Sequence, residues 1–223
     1  MNFAKAAWYL YLKDLRLEFR TKEMVNTLLV FALLTVVIFN FAIPPGLVET
    51  ELVAAGVFWV TIVFTGTLAF NRSFSIETEE DSLRGLLLLP YDSSFIMIGK
   101  VLFNITLIFI VEIVVYPVVT VLFRVSPEGN LLTFVLATIL ATTGLSFIGT
   151  LQGAVLLRTR AREILLPLLF FPVIVPILIA ATKLTEAYFT GRMNAGTWLK
   201  FLTLFDLIYI SATIFLFEFT LED

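Results

Sequence analysis

Two acidic residues, Glu112 and Asp206, stand inside long apolar runs that hold no Lys or Arg at their centres. A carboxyl in such a setting costs about 2.5–3.5 kcal/mol on insertion scales, so each is expected to face protein or water. Acids placed this way can pass protons or polar cargo in transport proteins. The alternative is pairing with Asn40, Asn104 or Gln152, or with a partner subunit. A second acidic group, Glu77, Glu79, Glu80 and Asp81, puts four carboxylates in five residues, and Leu83, Leu86, Leu87 and Pro90 follow at once. Other chemistry is excluded by composition. The 223 residues contain no Cys, hence no disulfide, thiolate metal site or covalent haem attachment. They contain no His, the commonest metal ligand and the natural proton shuttle near neutral pH. No catalytic residue and no metal site is expected. Gly99-Lys100 is not a phosphate-binding loop, because Val101 follows it and Ser94 stands where the first glycine belongs.

The elements that position these residues are membrane spans. With 59% hydrophobic and 15% charged residues, the chain lacks the charged surface a soluble domain needs. A net charge of −3 without a basic stripe gives no footprint for nucleic acid. Six apolar runs reach the roughly 20 residues needed to cross a bilayer: 24–43, 52–70, 101–123, 131–157, 164–182 and 199–219. They are continuously apolar and do not alternate, which predicts helices and not a barrel. The expected fold is an all-α integral membrane protein with six transmembrane helices in one domain. Lys5, Lys13, Arg16, Arg20 and Lys22, then Arg72, Arg84 and Lys100, then Arg158, Arg160 and Arg162 all fall on one side. Only Arg124, Lys183, Arg192 and Lys200 fall on the other. Both termini are therefore expected in the cytoplasm.

Residues 1–23 predict an amphipathic helix lying in the inner interface. Trp8, Leu12, Leu15 and Phe19 share one face, and Lys13, Arg16 and Arg20 gather on another. Residues 75–90 predict a short cytoplasmic helix. Ser75 or Thr78 is expected to cap it, its acids suit the first turn, and Pro90 ends it. Its leucines could rest on the bilayer or dock into a soluble partner, and an anionic leaflet would repel its carboxylates. Pro167, Pro172 and Pro176 predict that the fifth span is bent or broken, for packing or for a pathway. Gly149-x-x-x-Gly153 permits close helix approach. Trp59, Tyr188 and Trp198 suit interface anchoring.

This layout resembles the permease subunits of ABC-2-type exporters. "KDLRLEFRTKEM", "EEDSLRGLLLLPYD" and "TGLSFIGTLQGAVLLRTRAREILLPLLFFPVIVPILI", with the chain length, are more closely similar to the CcmB-type haem exporter subunit of bacterial cytochrome c maturation. The resemblance covers nearly the whole chain and implies a non-catalytic subunit of the bacterial inner membrane. A separate CcmA-type ATPase would bind ATP and Mg, and CcmC- and CcmD-type proteins would be its neighbours. A CcmE-type haem chaperone would be released, and the chain itself would bind no cofactor, haem being handled by the partners. A homodimer fits the same pattern. Residues 75–90 would be the coupling helix, with Glu79, Glu80, Asp81, Ser82, Leu83, Leu86, Leu87 and Pro90 docking the ATPase, and Pro172 and Pro176 would mark the flexible span. Glu112 and Asp206 would be polar determinants inside the bundle. The alternatives are an ABC-2-type exporter of another lipophilic substrate, a proton-coupled carrier using Glu112 and Asp206, or an assembly scaffold.

Overall fold

A chain that must satisfy its backbone inside hydrocarbon does so by winding its apolar runs into helices. The computed structural model describes residues 3–44, 49–79, 94–156, 159, 161–192 and 195–220, and seven helices are found among them. We label these α1 (Phe3–Thr21), α2 (Glu23–Ala42), α3 (Thr50–Glu79), α4 (Ser94–Leu122), α5 (Leu131–Val155), α6 (Arg162–Thr190) and α7 (Ala195–Thr220). The last six are each long and apolar enough to cross a membrane, so the chain is a multi-pass, all-α membrane protein.

Several helices overrun the apolar segments that announce them. Hydropathy marks the part in hydrocarbon, whereas a helix continues until a residue stops it. α3 runs through Asn71–Glu79, a polar stretch without Gly or Pro, and reaches 30 residues. At about 1.5 Å per residue that is about 45 Å, against roughly 30 Å of hydrocarbon. Ser75 and Thr78 therefore lie within α3. α6 likewise runs on to Thr190 and stops at Gly191, whose φ of 65° is the left-handed cap geometry that glycine adopts without strain. The fifth span is not broken: α6 is one continuous helix with Pro167, Pro172 and Pro176 inside it.

α3, α4 and α5 form the middle of the bundle. α3 packs on α2, α4, α5 and α6, and α5 packs on α3, α4, α6 and α7. Close approach of α3 to α5 depends on Gly149, because any β-carbon there would overlap the ring of Phe70. Phe70 is fully buried and meets Phe170 of α6 edge-on at 5.4 Å. Trp59 and Tyr188 belong to this interior and are not interface anchors. Trp59 is wholly buried, and its indole N–H donates to Thr185 Oγ1 at 2.7 Å. Tyr188 stacks on Phe134 with ring centroids 4.5 Å apart. Both rings carry one polar atom, and a buried partner for that atom lets them leave the interface.

α1 lies against α4. Its bundle-facing side is neither of the faces expected from the sequence, for Ala6, Ala7, Leu10, Asp14 and Glu18 are the buried residues. Trp8 and Phe19 remain more than half exposed, leaving the aromatic face free for lipid. Small residues win the contact because Gly99 of α4 lets the two helices touch. A β-carbon at Gly99 would sit 2.9 Å from Leu10 Cδ2 and 3.1 Å from the Ala7 carbonyl oxygen.

Candidate functional site

A group of charged residues collects at one end of the bundle, where α1, the start of α2, the end of α3 and the start of α4 meet. Lys100 is the centre of this group. Its Nζ lies 2.8 Å from Asp14 Oδ2 and donates to the Ser73 carbonyl oxygen at 2.9 Å. Lys13 Nζ approaches the other Asp14 oxygen at 3.2 Å. Asp14 and Lys100 are 7% and 3% exposed, so this is a buried ion pair. Beside it, Glu18 Oε1 accepts the backbone N–H of Val25 at 2.8 Å, capping the first turn of α2. Arg72 pairs with Glu23 across α3 and α2. One cation thus ties α1 to both helices that flank residues 80–93, at Ser73 on one side and at Lys100 on the other.

The docking residues expected from the sequence fall on that intervening stretch. Glu80, Asp81, Ser82, Leu83, Leu86, Leu87 and Pro90 lie outside the described residues. Glu79 is the last residue of α3.

Deeper in the bundle, the buried face of α5 carries Thr138, Thr142, Ser146 and Thr150 at steps of four, which aligns them along one side of a helix. α4 answers with two residues at the matching interval. Asn104 Nδ2 donates to Thr150 Oγ1 at 3.0 Å, and Thr142 Oγ1 donates to Glu112 Oε1. Glu112 is buried, and its Oε2 has no hydrogen-bond partner among the described residues. Asp206 of α7 is packed onto Gly144 of α5, where any side chain would collide with Oδ1. Neither Asp206 oxygen finds a partner among the described residues. The pairings expected for the two acids do not form: Asn40 bonds the Leu122 carbonyl, Asn104 bonds Thr150 and Gln152 bonds the Leu169 carbonyl.

That last bond lies beside one of the prolines of α6. Each proline removes a backbone donor and crowds the carbonyls of the turn before it. Leu169 and Val173 lie three residues before Pro172 and Pro176. Gln152 of α5 donates to the Leu169 carbonyl at 3.2 Å, and Tyr209 of α7 donates to the Val173 carbonyl at 2.8 Å. Neighbouring helices thus supply hydrogen bonds beside both interruptions. Among the described residues, no group of three or more His, Cys, Asp or Glu is placed to hold a metal ion.

Residues 5–222 match the family described as CcmB protein. The chain belongs to the CcmB family. It is similar to heme exporter protein B of Pseudomonas aeruginosa, 24% identical over 193 residues that make up 86% of each chain. It is 29% identical to the Haemophilus influenzae protein of that name over 176 residues, 78% of this chain and 79% of the other. The Rhodobacter capsulatus protein of the same name is 27% identical over 174 residues, again 78% and 79%.

In this CcmB-family chain the structure does not join the sequence-predicted residues into one centre. Glu112 and Asp206 meet different neighbours on α5, and Pro172 and Pro176 occupy α6. Sequence reasoning missed Asp14 as the partner of Lys100. The readable signal was the stripe Ala7, Leu10, Asp14, Glu18, whose three- and four-residue steps mark a helix face that small and acidic residues share.

Proposed function

We propose that this chain is the membrane permease subunit of an ATP-driven complex of the bacterial inner membrane, acting in cytochrome c maturation as a haem exporter subunit. A separate CcmA-type ATPase supplies the energy, with ATP and Mg bound there. Helix motion in this chain, and in its CcmC- and CcmD-type neighbours, then frees the haem-loaded CcmE-type chaperone. The chain contributes no catalytic residue, works as a pair of copies, holds both termini in the cytoplasm and leaves haem to its partners.

The observation that carries this reading is the tie made by Lys100. The two helices on either side of residues 80–93 are fastened to each other and to α1. A force applied to the acidic-leucine stretch therefore has rigid levers to act on, namely the overlong α3 and α4. In this reading Leu83, Leu86 and Leu87 anchor the ATPase, and Glu79, Glu80, Asp81 and Ser82 set the register. The family's curated relatives, named heme exporter protein B, support the substrate class.

Leu83→Asp and Leu87→Asp test it. Both variants should insert normally, yet lose the co-purifying ATPase and cytochrome maturation. Full ATPase stoichiometry with normal maturation would overturn the docking role. Transport by the purified chain in liposomes under a pH gradient alone would favour the carrier reading over the ATP-driven one.

A further inference from the structure

α1 carries the bases Lys5, Lys13, Arg16 and Arg20 and the acids Asp14 and Glu18. Packing separates the two signs. Both acids are turned into the bundle, where Asp14 meets Lys100 and Glu18 accepts the Val25 N–H. Lys13 is drawn toward Asp14, whereas Lys5, Arg16 and Arg20 stay exposed. At about 100° per residue these three fall within an arc of about 60°, apart from the buried stripe. From position 5 to position 20 they extend over about 22 Å of helix. The helix is mixed in sequence, yet every charge on its outward side is positive.

The neighbours of these bases narrow what they meet. Trp8, Leu12, Leu15 and Phe19 form the adjoining arc, with Trp8 53% and Phe19 59% exposed. Open aromatic rings beside a row of bases are the pattern of a helix lying in a bilayer surface. The position of α1 agrees. Lys22 alone joins it to α2, and a φ of 55° at that residue turns the chain. α2 is apolar enough to cross the membrane from Glu23 onward, so α1 ends where a span begins. Its packing partner is the start of α4, a second span, at Phe95, Ile96 and Gly99. α1 is thus held at the boundary of hydrocarbon and water, with rings at acyl level and bases at headgroup level. An acidic soluble protein would match the bases alone. An anionic lipid matches the bases with its phosphate and the rings with its chains.

From this separation of charge we infer that the outward face of α1 is a docking surface for anionic phospholipids of the leaflet it borders. Lys5, Arg16 and Arg20 take the phosphates, the two arginines through paired N–H groups. Trp8, Leu12 and Phe19 rest on the upper part of the acyl chains. A zwitterionic lipid is held less well, because its own cation competes with these bases for the phosphate.

Photolabelling of the full chain in phosphatidylcholine nanodiscs tests the surface, with trace diazirine-tailed phosphatidylglycerol or phosphatidylcholine as the probe. Peptides of α1 should take at least about fivefold more of the anionic probe, the preference expected of one base near a charged surface. Unlabelled phosphatidylglycerol should compete, inorganic phosphate should not, and added salt should weaken the preference. The triple variant Lys5→Gln, Arg16→Gln, Arg20→Gln should lose it, while unfolding in detergent at the parent temperature because all three side chains are exposed. Arg16→Gln alone should already reduce it, and Arg124→Gln, just past the far end of α4, should leave it unchanged. Equal labelling by the two probes, or variants that label like the parent, overturn the proposal. Competition by inorganic phosphate as strong as by the lipid also overturns it, since the bases would then hold a free anion. So does crosslinking of an Arg16→Cys variant to a soluble subunit of the native complex with α1 left unlabelled by lipid, which would make this face a protein interface.

Discussion

Lys100 Nζ stands 2.8 Å from Asp14 Oδ2, and both side chains are almost wholly excluded from solvent. Ion pairs of this kind are sensitive to loss of one partner, because the remaining charge is left buried and alone. Asp14→Ala or Lys100→Ala should lower stability by about 3–5 kcal/mol. The double variant Asp14→Leu with Lys100→Met should recover most of that loss, since apolar residues of similar volume often replace a buried pair without penalty. Thermal unfolding of the detergent-solubilised chain reads both effects. A double variant no better than the singles would show that the pair is not the coupled unit described here.

The docking of α1 depends on the missing side chain of Gly99 more than on charge. Gly99→Val should push α1 away from α4 while the six long helices stay packed. The chain has no cysteine of its own, so a single Leu10→Cys substitution gives a clean reporter. Leu10 is 4% exposed, and its thiol should react slowly with a maleimide until Gly99→Val is added. Equal labelling rates in the two backgrounds would count against the close contact.

Gly149→Ala should be costly for its size, because the added methyl meets the fully buried ring of Phe70. Overpacking of this kind costs about 1–3 kcal/mol. Phe70→Leu in the same chain should return part of the loss by clearing the space. Unfolding temperatures of the two singles and the double decide the matter, additivity being the unfavourable result.

Tyr209→Phe removes only the hydroxyl that reaches the Val173 carbonyl beside Pro176. Hydrogen bonds between membrane helices average about 0.6 kcal/mol, with larger values up to about 1.7. A destabilisation within that span is expected, together with faster hydrogen exchange of the α6 amides near Pro176. Unchanged exchange there would mean that the tyrosine does not steady the proline-interrupted segment.

Much of the architecture was legible in the residues, and the reasons can be stated by element. Continuous apolar runs can satisfy their backbone in lipid only as helices, so the six spans followed from hydropathy. Their ends did not, because hydropathy sees the hydrocarbon layer, whereas the polar stretch Asn71–Glu79 continues α3 beyond it. The three prolines were visible, yet their consequence was not. α6 runs on through them, and side chains of α5 and α7, distant in sequence, donate to carbonyls beside two of them.

The same division holds for the polar residues. Composition alone determined that this is a membrane protein without thiol or imidazole chemistry, and that Glu112 and Asp206 must be sheltered from hydrocarbon. Periodicity alone predicted an N-terminal helix, which the structure has at Phe3–Thr21. Only the tertiary structure decided that α1 seats its small and acidic stripe on α4, that Lys100 closes on Asp14, and that Glu112 accepts a hydrogen bond from Thr142. The physical reason is that periodicity assigns a residue to a face of its own helix. Which face meets which neighbour is set by packing, and here by Gly99, Gly144 and Gly149, whose missing side chains let particular helices touch.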